Sequence, residues 1–88
     1  MRFSINRDHV IFEMMGDEST LVNVETTYYY GLNATGTFIW NFLAERDATL
    51  DEIVDAVSAE YKVDAAAIRS DIEQLLQNLK QENLIVER

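Results

Sequence analysis

Three consecutive tyrosines, Tyr28, Tyr29 and Tyr30, are followed by Gly31, and these residue types suit contact with another molecule. A tyrosine presents a large apolar ring and a polar hydroxyl group, and ordering it costs little conformational entropy. A glycine lets another backbone approach closely, because it carries no side chain. No residue of this segment is charged. The segment therefore predicts a binding surface, and the element that carries it decides what it binds.

Residues that could catalyse a reaction or bind a metal ion are few in this chain of 88 residues. There is no cysteine, so the chain has neither a thiol nucleophile nor a thiolate metal site. His9 is the only histidine, which is too few for a histidine-based metal site. No partner for a serine–histidine pair stands at a recognisable spacing from His9. We predict no catalytic residue, no metal site and no cofactor, and we expect that the protein is not an enzyme.

Three carboxylates, Asp51, Glu52 and Asp55, lie close together on one predicted helix. Paired carboxylates transfer protons in catalysis only where a cleft removes them from water. Glu52 stands three residues after Thr49, which is the spacing of a capping box at the start of a helix. We interpret the group as a helix cap and a solvated helix face.

The charge of the chain is strongly acidic, with 16 Asp and Glu against 7 Lys and Arg and a net charge of −9. A field of this sign repels phosphate backbones and anionic lipid head groups, so we expect neither nucleic acid nor membrane as a partner. No long apolar stretch follows the basic residues near Met1, which argues against a signal peptide. The expected location is the cytoplasm.

The elements that must position the tyrosines are strands. Residues 10–15 are rich in strand formers, residues 16–19 form a turn cluster, and residues 21–25 return with Val22 and Val24 predicted on one buried face. A tight connection near residues 25–27 leads into a third strand, which is the tyrosine segment. The pattern predicts a three-stranded antiparallel meander over residues 10–32.

The apolar spacing then changes to that of helices. Asn33, Thr49 and Asp64 are predicted N-caps of three successive helices, and residues 84–86 form a strand-like tail. The fold class is therefore α+β: a winged-helix-like domain over residues 1–88, with an N-terminal three-stranded antiparallel sheet, three helices and a short C-terminal strand. The predicted core consists of Phe12, Val22, Val24, Leu32, Phe38, Ile39, Phe42, Ile53, Val57, Ile68, Ile72, Leu75 and Leu79.

The third strand lies at an edge of such a meander, with a free row of N–H and C=O groups. Edge strands normally carry lysine, proline or a bulge that discourages pairing, and this one carries no charged residue at all. Either the protein covers this edge with its own helix, or the edge receives a strand from a partner, as in peptide capture by strand addition. Tyr28, Tyr30 and Leu32 share one face, so packing within the protein also explains two of the tyrosines.

Three other functions fit the composition less well. A DNA-reading helix needs cations, but the third helix is acidic on balance. An acidic carrier protein needs a serine in an Asp-Ser-Leu motif, which neither Ser58 nor Ser70 has. An acidic winged-helix module that binds another protein or regulates it through its helix surfaces stays open as an alternative to strand addition.

Several motifs resemble the PqqD-like family. Residues 29–40 read YYGLNATGTFIW, which is similar to the family signature of an aromatic pair, a variable residue, Leu-Asn, a small residue, Thr-Gly and a helix with Ile-Trp. Residues 49–53 (TLDEI) resemble the start of the family's second helix, and residues 61–64 (YKVD) resemble its second connector. Gly31 occupies the variable position, where the family often has a longer, polar residue.

The resemblance implies a RiPP recognition element, a peptide chaperone of natural product biosynthesis that binds the leader of a ribosomally made precursor peptide. Such domains present the leader to a modifying enzyme such as a protease, a cyclase or a radical SAM protein. The leader pairs with the third strand and lies against the third helix, which implies a peptide-binding site at Thr27, Tyr28, Tyr29, Tyr30 and Gly31. From helix geometry we place Ile72 and Leu76 on the groove floor, with Arg69 and Glu73 at the rim.

Overall fold

The computed structural model describes all 88 residues and contains two antiparallel sheets and three α-helices. A single turn of 3₁₀ helix covers Arg7–His9. The elements in chain order are β1 (Phe3–Ile5), β2 (Val10–Met15), β3 (Glu18–Asn23), β4 (Tyr28–Leu32), α1 (Ala34–Glu45), α2 (Leu50–Tyr61), α3 (Ala65–Gln81) and β5 (Ile85–Glu87). The predicted α+β order of a three-stranded sheet, three helices and a terminal strand is confirmed.

The larger sheet is the predicted meander, in the order β2-β3-β4. Gly16 makes the β2–β3 turn at a φ of 68°, a left-handed conformation that a residue without a side chain adopts easily. The β3–β4 connection spans residues 24–27 and ends at Thr27, whose φ of 57° is unusual for a β-branched residue. Strand β4 therefore begins directly after a constrained turn.

The prediction for the buried face of β3 was wrong. Leu21 is completely buried and Asn23 is nearly so, whereas Val24 is 45% exposed and Val22 is half-buried. Side chains alternate between the two faces of a strand. A prediction that places the two valines inward therefore assigns every residue of β3 to the wrong face. The inner face carries Leu21 opposite Phe12 and Tyr30, and the outer face carries Val22 opposite Ile11 and Tyr29.

The three helices begin at the predicted caps. The side chains of Asn33, Thr49 and Asp64 accept hydrogen bonds from the N–H groups of Gly36, Glu52 and Ala66, respectively. The Thr49 cap forms the complete capping box, and the hydrogen bond from the Thr49 backbone N–H lowers the pKa of Glu52 from its usual value of 4.5. Caps of this kind fix where each helix begins, so they also fix how α1 follows β4.

The smaller sheet joins the two ends of the chain. Strand β5 pairs with β1 in antiparallel register, and Phe3 also forms a bridge with Ala48. The predicted C-terminal strand is present, one residue further along than predicted, and the sequence pattern did not identify its partner. Phe3, Ile5 and Ile85 are buried, so this pairing closes one side of the core.

The core lies between the inner face of the meander and the helices. It contains Leu21, Leu32, Ile39, Trp40, Leu43, Ile53, Val57, Ile72, Leu76, Leu79, Leu84 and Ile85 among its buried residues. Of the predicted core residues, Phe12, Phe38, Phe42, Ile68 and Leu75 are only half-buried against it. A half-buried apolar side chain next to a cleft remains available to a ligand, which matters for Ile68 and Leu75.

Candidate functional site

Strand β4 is one of the two edge strands of the meander, with β3 as its only neighbour. The N–H of Val24 donates to the carbonyl of His9, so Ile11 and Val22 form a hydrogen-bonded pair of the antiparallel ladder. Hydrogen-bonded and free positions alternate along a strand. The backbone groups of Leu21 therefore point to Tyr30 of β4, and those of Tyr29 and Gly31 point away from the sheet.

The outward backbone groups of Tyr29 and Gly31 have no hydrogen-bond partner in the protein. The Tyr29 side chain is 70% exposed on the outer face, and a Cβ added at Gly31 would meet no atom within 4 Å. The fold itself therefore does not require a glycine at position 31. The prediction of an edge strand left open by the protein's own backbone is correct for β4.

Helix α3 comes near both ends of β4, with its direction reversed relative to the strand. Near the start of β4, Asn23 lies opposite Tyr28 in the ladder and its side-chain amide donates to the carbonyl of Glu82, just past the end of α3 (2.9 Å). Beyond the end of β4, Asn33 lines a cleft together with Ile68, in the first half of α3. The end of α3 therefore lies near the start of β4, and its first half shares a cleft with the residue that follows β4.

The cleft between the start of α1 and helices α2 and α3 has a volume of about 490 Å³. Its lining is mainly apolar: Ile39, Val57, Tyr61, Val63, Ile68, Ile72 and Leu75. Tyr28 and Tyr30 lie on the same face of the sheet as buried Leu32, and their rings are 6.3 Å apart. The cleft together with the free edge of β4 is called the β4–α3 groove below. None of residues 28–32 lines the cleft itself, but β4 ends at Leu32, directly before the lining residue Asn33.

The predicted residues of α3 do not all face this groove. Ile72 lines it, but Arg69, Glu73 and Leu76 line a second cleft, beside β1 and the start of α2. Leu76 is fully buried, and the Arg69 guanidinium is bound to the Asp51 carboxylate at 2.7 Å. The side of α3 that faces the groove is instead formed by Ile68, Asp71, Ile72 and Leu75.

Two residues that position the groove were not singled out as such from the sequence. Asn23 is buried, and its side-chain oxygen accepts from the N–H groups of Glu25 and Thr26 while its amide holds α3. Gly36 lies in the first turn of α1, where a Cβ would come within 3.0 Å of Leu32. The available signals were an asparagine at the end of a strand, which favours turns, and a glycine inside a helix.

We expect Asn23→Ala to lower the free energy of unfolding by about 2 kcal/mol, because three hydrogen bonds made by a buried side chain are lost. Chemical denaturation of the two proteins measures the difference. The control is Asn78→Ala on α3, because the side chain of Asn78 forms a hydrogen bond only with exposed Gln74. Equal stability of Asn23→Ala and the unchanged protein would show that Asn23 does not hold the two sides of the groove.

The sheet carries acidic residues, and neither the sheet nor the lining of the cleft includes a lysine or an arginine. Residues 10–32 include Glu13, Asp17, Glu18 and Glu25 but neither lysine nor arginine, and Glu25 is paired with His9. No three His, Asp or Glu side chains are grouped in a way that could hold a metal ion. No helix combines the length and apolar character that a membrane span requires. The site is suited to binding an extended chain through backbone groups and apolar contacts.

Comparisons with known proteins agree with this geometry. The sequence model of a family described as Coenzyme PQQ synthesis protein D (PqqD) matches residues 18–85. None of the curated proteins compared matches the chain. A solved structure described as TbiB1 in complex with the TbiA(beta) leader peptide is similar in fold, with a TM-score of 0.85 and 35% sequence identity, and the match covers 97% of this chain and 96% of that one.

Proposed function

The chain belongs to the PqqD family, and on this premise we propose that it is a RiPP recognition element that binds the leader of a ribosomally made precursor peptide. The leader pairs with β4 as a fourth strand and lies in the β4–α3 groove. Family membership confirms the resemblance seen in residues 29–40. Residues 1–88 act together as one peptide-binding unit in this proposal.

The observation that carries the proposal is the uncharged, unpaired edge of β4 beside an apolar cleft. Main-chain hydrogen bonds along such an edge give affinity, and side-chain pockets next to it give selectivity. The structurally similar TbiB1 was solved with a leader peptide bound. An acidic regulatory module that acts through the outer face of α2 would have no use for this arrangement, so the alternative is not favoured.

The proposed contacts combine both sides of the groove. On the strand side they are Thr27, Tyr28, Tyr29, Tyr30 and Gly31, with backbone pairing at Tyr29 and Gly31. On the helix side we replace Arg69, Glu73 and Leu76 by the residues that face the groove. These are Ile68, Asp71, Ile72 and Leu75.

We propose further that the protein is not catalytic and that it presents the bound leader to a modifying enzyme in the cytoplasm, where ribosomal peptides are made. The outer face of the sheet suits such a partner. Ile11, Val22 and Tyr29 form a row across all three strands, and Ile11 is 57% exposed. A leader strand on β4 would extend this row with its own side chains, so that an enzyme seated there touches both molecules. A protease, a cyclase or a radical SAM protein could take this place.

Val22→Lys should weaken binding of the modifying enzyme by about tenfold while leaving leader affinity unchanged, because a charge is placed at the centre of the apolar row. Sedimentation or calorimetry with a modifying enzyme that binds the unchanged protein measures the first quantity, and a labelled leader measures the second. Gln77→Lys on α3 is a control for the added charge. If Val22→Lys and Gln77→Lys bind the enzyme equally well, the outer face is not its docking surface.

The proposed function is tested by titrating the ¹⁵N-labelled protein with leader peptides of ribosomally made precursors. We expect saturable binding, with amide shifts concentrated at residues 27–31 and along the groove side of α3. Reversing the charges of Asp51, Glu52 and Asp55 should leave the titration unchanged. If binding requires those carboxylates and does not shift the amide signals of residues 27–31, the protein is instead an acidic module that binds its partner through helix surfaces.

A further inference from the structure

We infer that Asp71 makes this protein select leader segments that carry a lysine or arginine next to the apolar residue that fills the cleft. The inference rests on the proposed function and names a feature of the peptide that the site prefers. Among the residues that line the cleft of the β4–α3 groove, Asp71 is the only aspartate, and there is no glutamate, lysine, arginine or histidine. Its neighbours in the lining are apolar or carry neutral polar groups, so its charge is the distinguishing feature of that wall.

The carboxylate of Asp71 is not neutralised within the protein. It takes part in no ion pair, and its helix neighbours three and four positions away are Ala67, Ile68, Gln74 and Leu75, none of which is charged. The nearest cation along the helix, Arg69, projects toward the second cleft and is bound to Asp51. Lys62 stands between the lining residues Tyr61 and Val63, but it does not line the cleft and forms no ion pair with Asp71, so a cation at Asp71 would come from the ligand.

The strand side of the groove cannot provide that cation either. Residues 10–32 contain no lysine or arginine, and the added strand would be bordered on that side by Tyr28 and Tyr30. A leader residue whose side chain points toward the helices can reach both the apolar wall and Asp71. A basic residue suits this position because its methylene groups cover apolar surface while its charged end remains beside the carboxylate.

Peptide binding would make this pairing stronger than an ordinary surface ion pair. Ile68, Ile72 and Leu75 surround Asp71 with apolar surface, and a bound strand would exclude water from that side. An acidic leader residue at the same place would meet a like charge with reduced screening. We expect about a fivefold difference in affinity between a basic and a neutral residue there, and a larger difference for an acidic one.

A displayed library of random twelve-residue peptides tests the inference whatever the natural leader is. The library is selected in parallel on the unchanged protein, on Asp71→Lys and on Asp55→Lys, a control that makes the same charge change on an exposed position lining neither cleft. Peptides from the unchanged protein and from Asp55→Lys should be enriched in lysine or arginine beside an apolar residue. Peptides selected on Asp71→Lys should carry Asp or Glu at that place.

The outcomes separate the inference from the proposed function. Peptides that bind all three proteins, lose binding with Tyr29→Pro and show the same charge preference in each would overturn the role of Asp71 alone. Two outcomes would overturn strand addition and the inference with it. In the first, the selected peptides bind Tyr29→Pro as tightly as the unchanged protein; in the second, the selection enriches no peptide. A preference that reverses only with Asp71→Lys supports both.

Discussion

Tyr29→Pro should reduce leader affinity by about 10- to 100-fold while the protein remains folded. The N–H of Tyr29 points away from β3, so proline removes a donor to the incoming strand and no hydrogen bond of the native sheet. The proline ring also occupies space that the neighbouring strand needs. Fluorescence anisotropy of a labelled leader measures the affinity, and circular dichroism with thermal unfolding verifies the fold.

The matched control for Tyr29→Pro lies on the opposite edge of the same sheet. Hydrogen-bonded and free positions alternate along β2 as they do along β4. The N–H of Met14 is at a free position, so it points away from β3 at the free edge of β2. Met14→Pro makes an equivalent change to an edge strand that the proposal does not use, so its leader affinity should equal that of the unchanged protein. Equal losses in the two variants would indicate general damage to the sheet, and no loss in a folded Tyr29→Pro would exclude strand addition to β4.

Leu75→Ala should weaken leader binding by about tenfold, because it removes part of the apolar wall that the peptide covers. Leu75 is half-buried, so the same change should lower the free energy of unfolding by only about 1–2 kcal/mol. Calorimetric titration with the leader separates the two effects, because a folded variant with reduced affinity has lost contacts with the peptide.

Leu50→Ala tests which side of α3 receives the peptide. Leu50 is also half-buried, but it lines the second cleft together with Arg69 and Glu73. We expect Leu50→Ala and Glu73→Lys to bind the leader as tightly as the unchanged protein does. If these variants lose affinity and Leu75→Ala does not, the side of α3 chosen from the sequence is the right one and the β4–α3 groove is not the peptide site.

Local features of the fold could be predicted from the sequence because local interactions decide them. The caps at Asn33, Thr49 and Asp64 each satisfy helix N–H groups within a few residues, and their chemistry is visible in the sequence. The meander followed from strand formers separated by turn residues. The free edge of β4 followed in turn from the meander, because the last strand of such a sheet has one neighbour.

Which face of β3 is buried could not be predicted from the same pattern. Val22 and Val24 are the residues that alternation favours for burial, yet Asn23 is buried instead. A buried amide is stable only when its hydrogen bonds are made, and those of Asn23 go to the following turn and to Glu82, 59 residues away. Such a distant partner is not visible in a local pattern.

The placement of the four predicted α3 residues around one groove differs from the structure for a related reason. Helical spacing shows that Ile72, Leu75, Leu76 and Leu79 share an apolar surface of α3, but not which neighbour each part touches. The structure places Leu76 and Leu79 in the core and leaves Leu75 beside the groove. The pairing of β1 with β5 was missed as well, because two strands of three residues at opposite ends of the chain carry no signal of their partnership.

Hydrogen exchange of the β4 amides tests the central claim most directly. In the free protein the amides of Tyr29 and Gly31 should exchange rapidly, and that of Tyr30 slowly, because only Tyr30 donates within the sheet. Saturation with the leader should slow exchange at Tyr29 and Gly31 by at least about tenfold, so that all three amides exchange slowly. If the leader binds and both amides still exchange at their free rates, the peptide does not pair with β4.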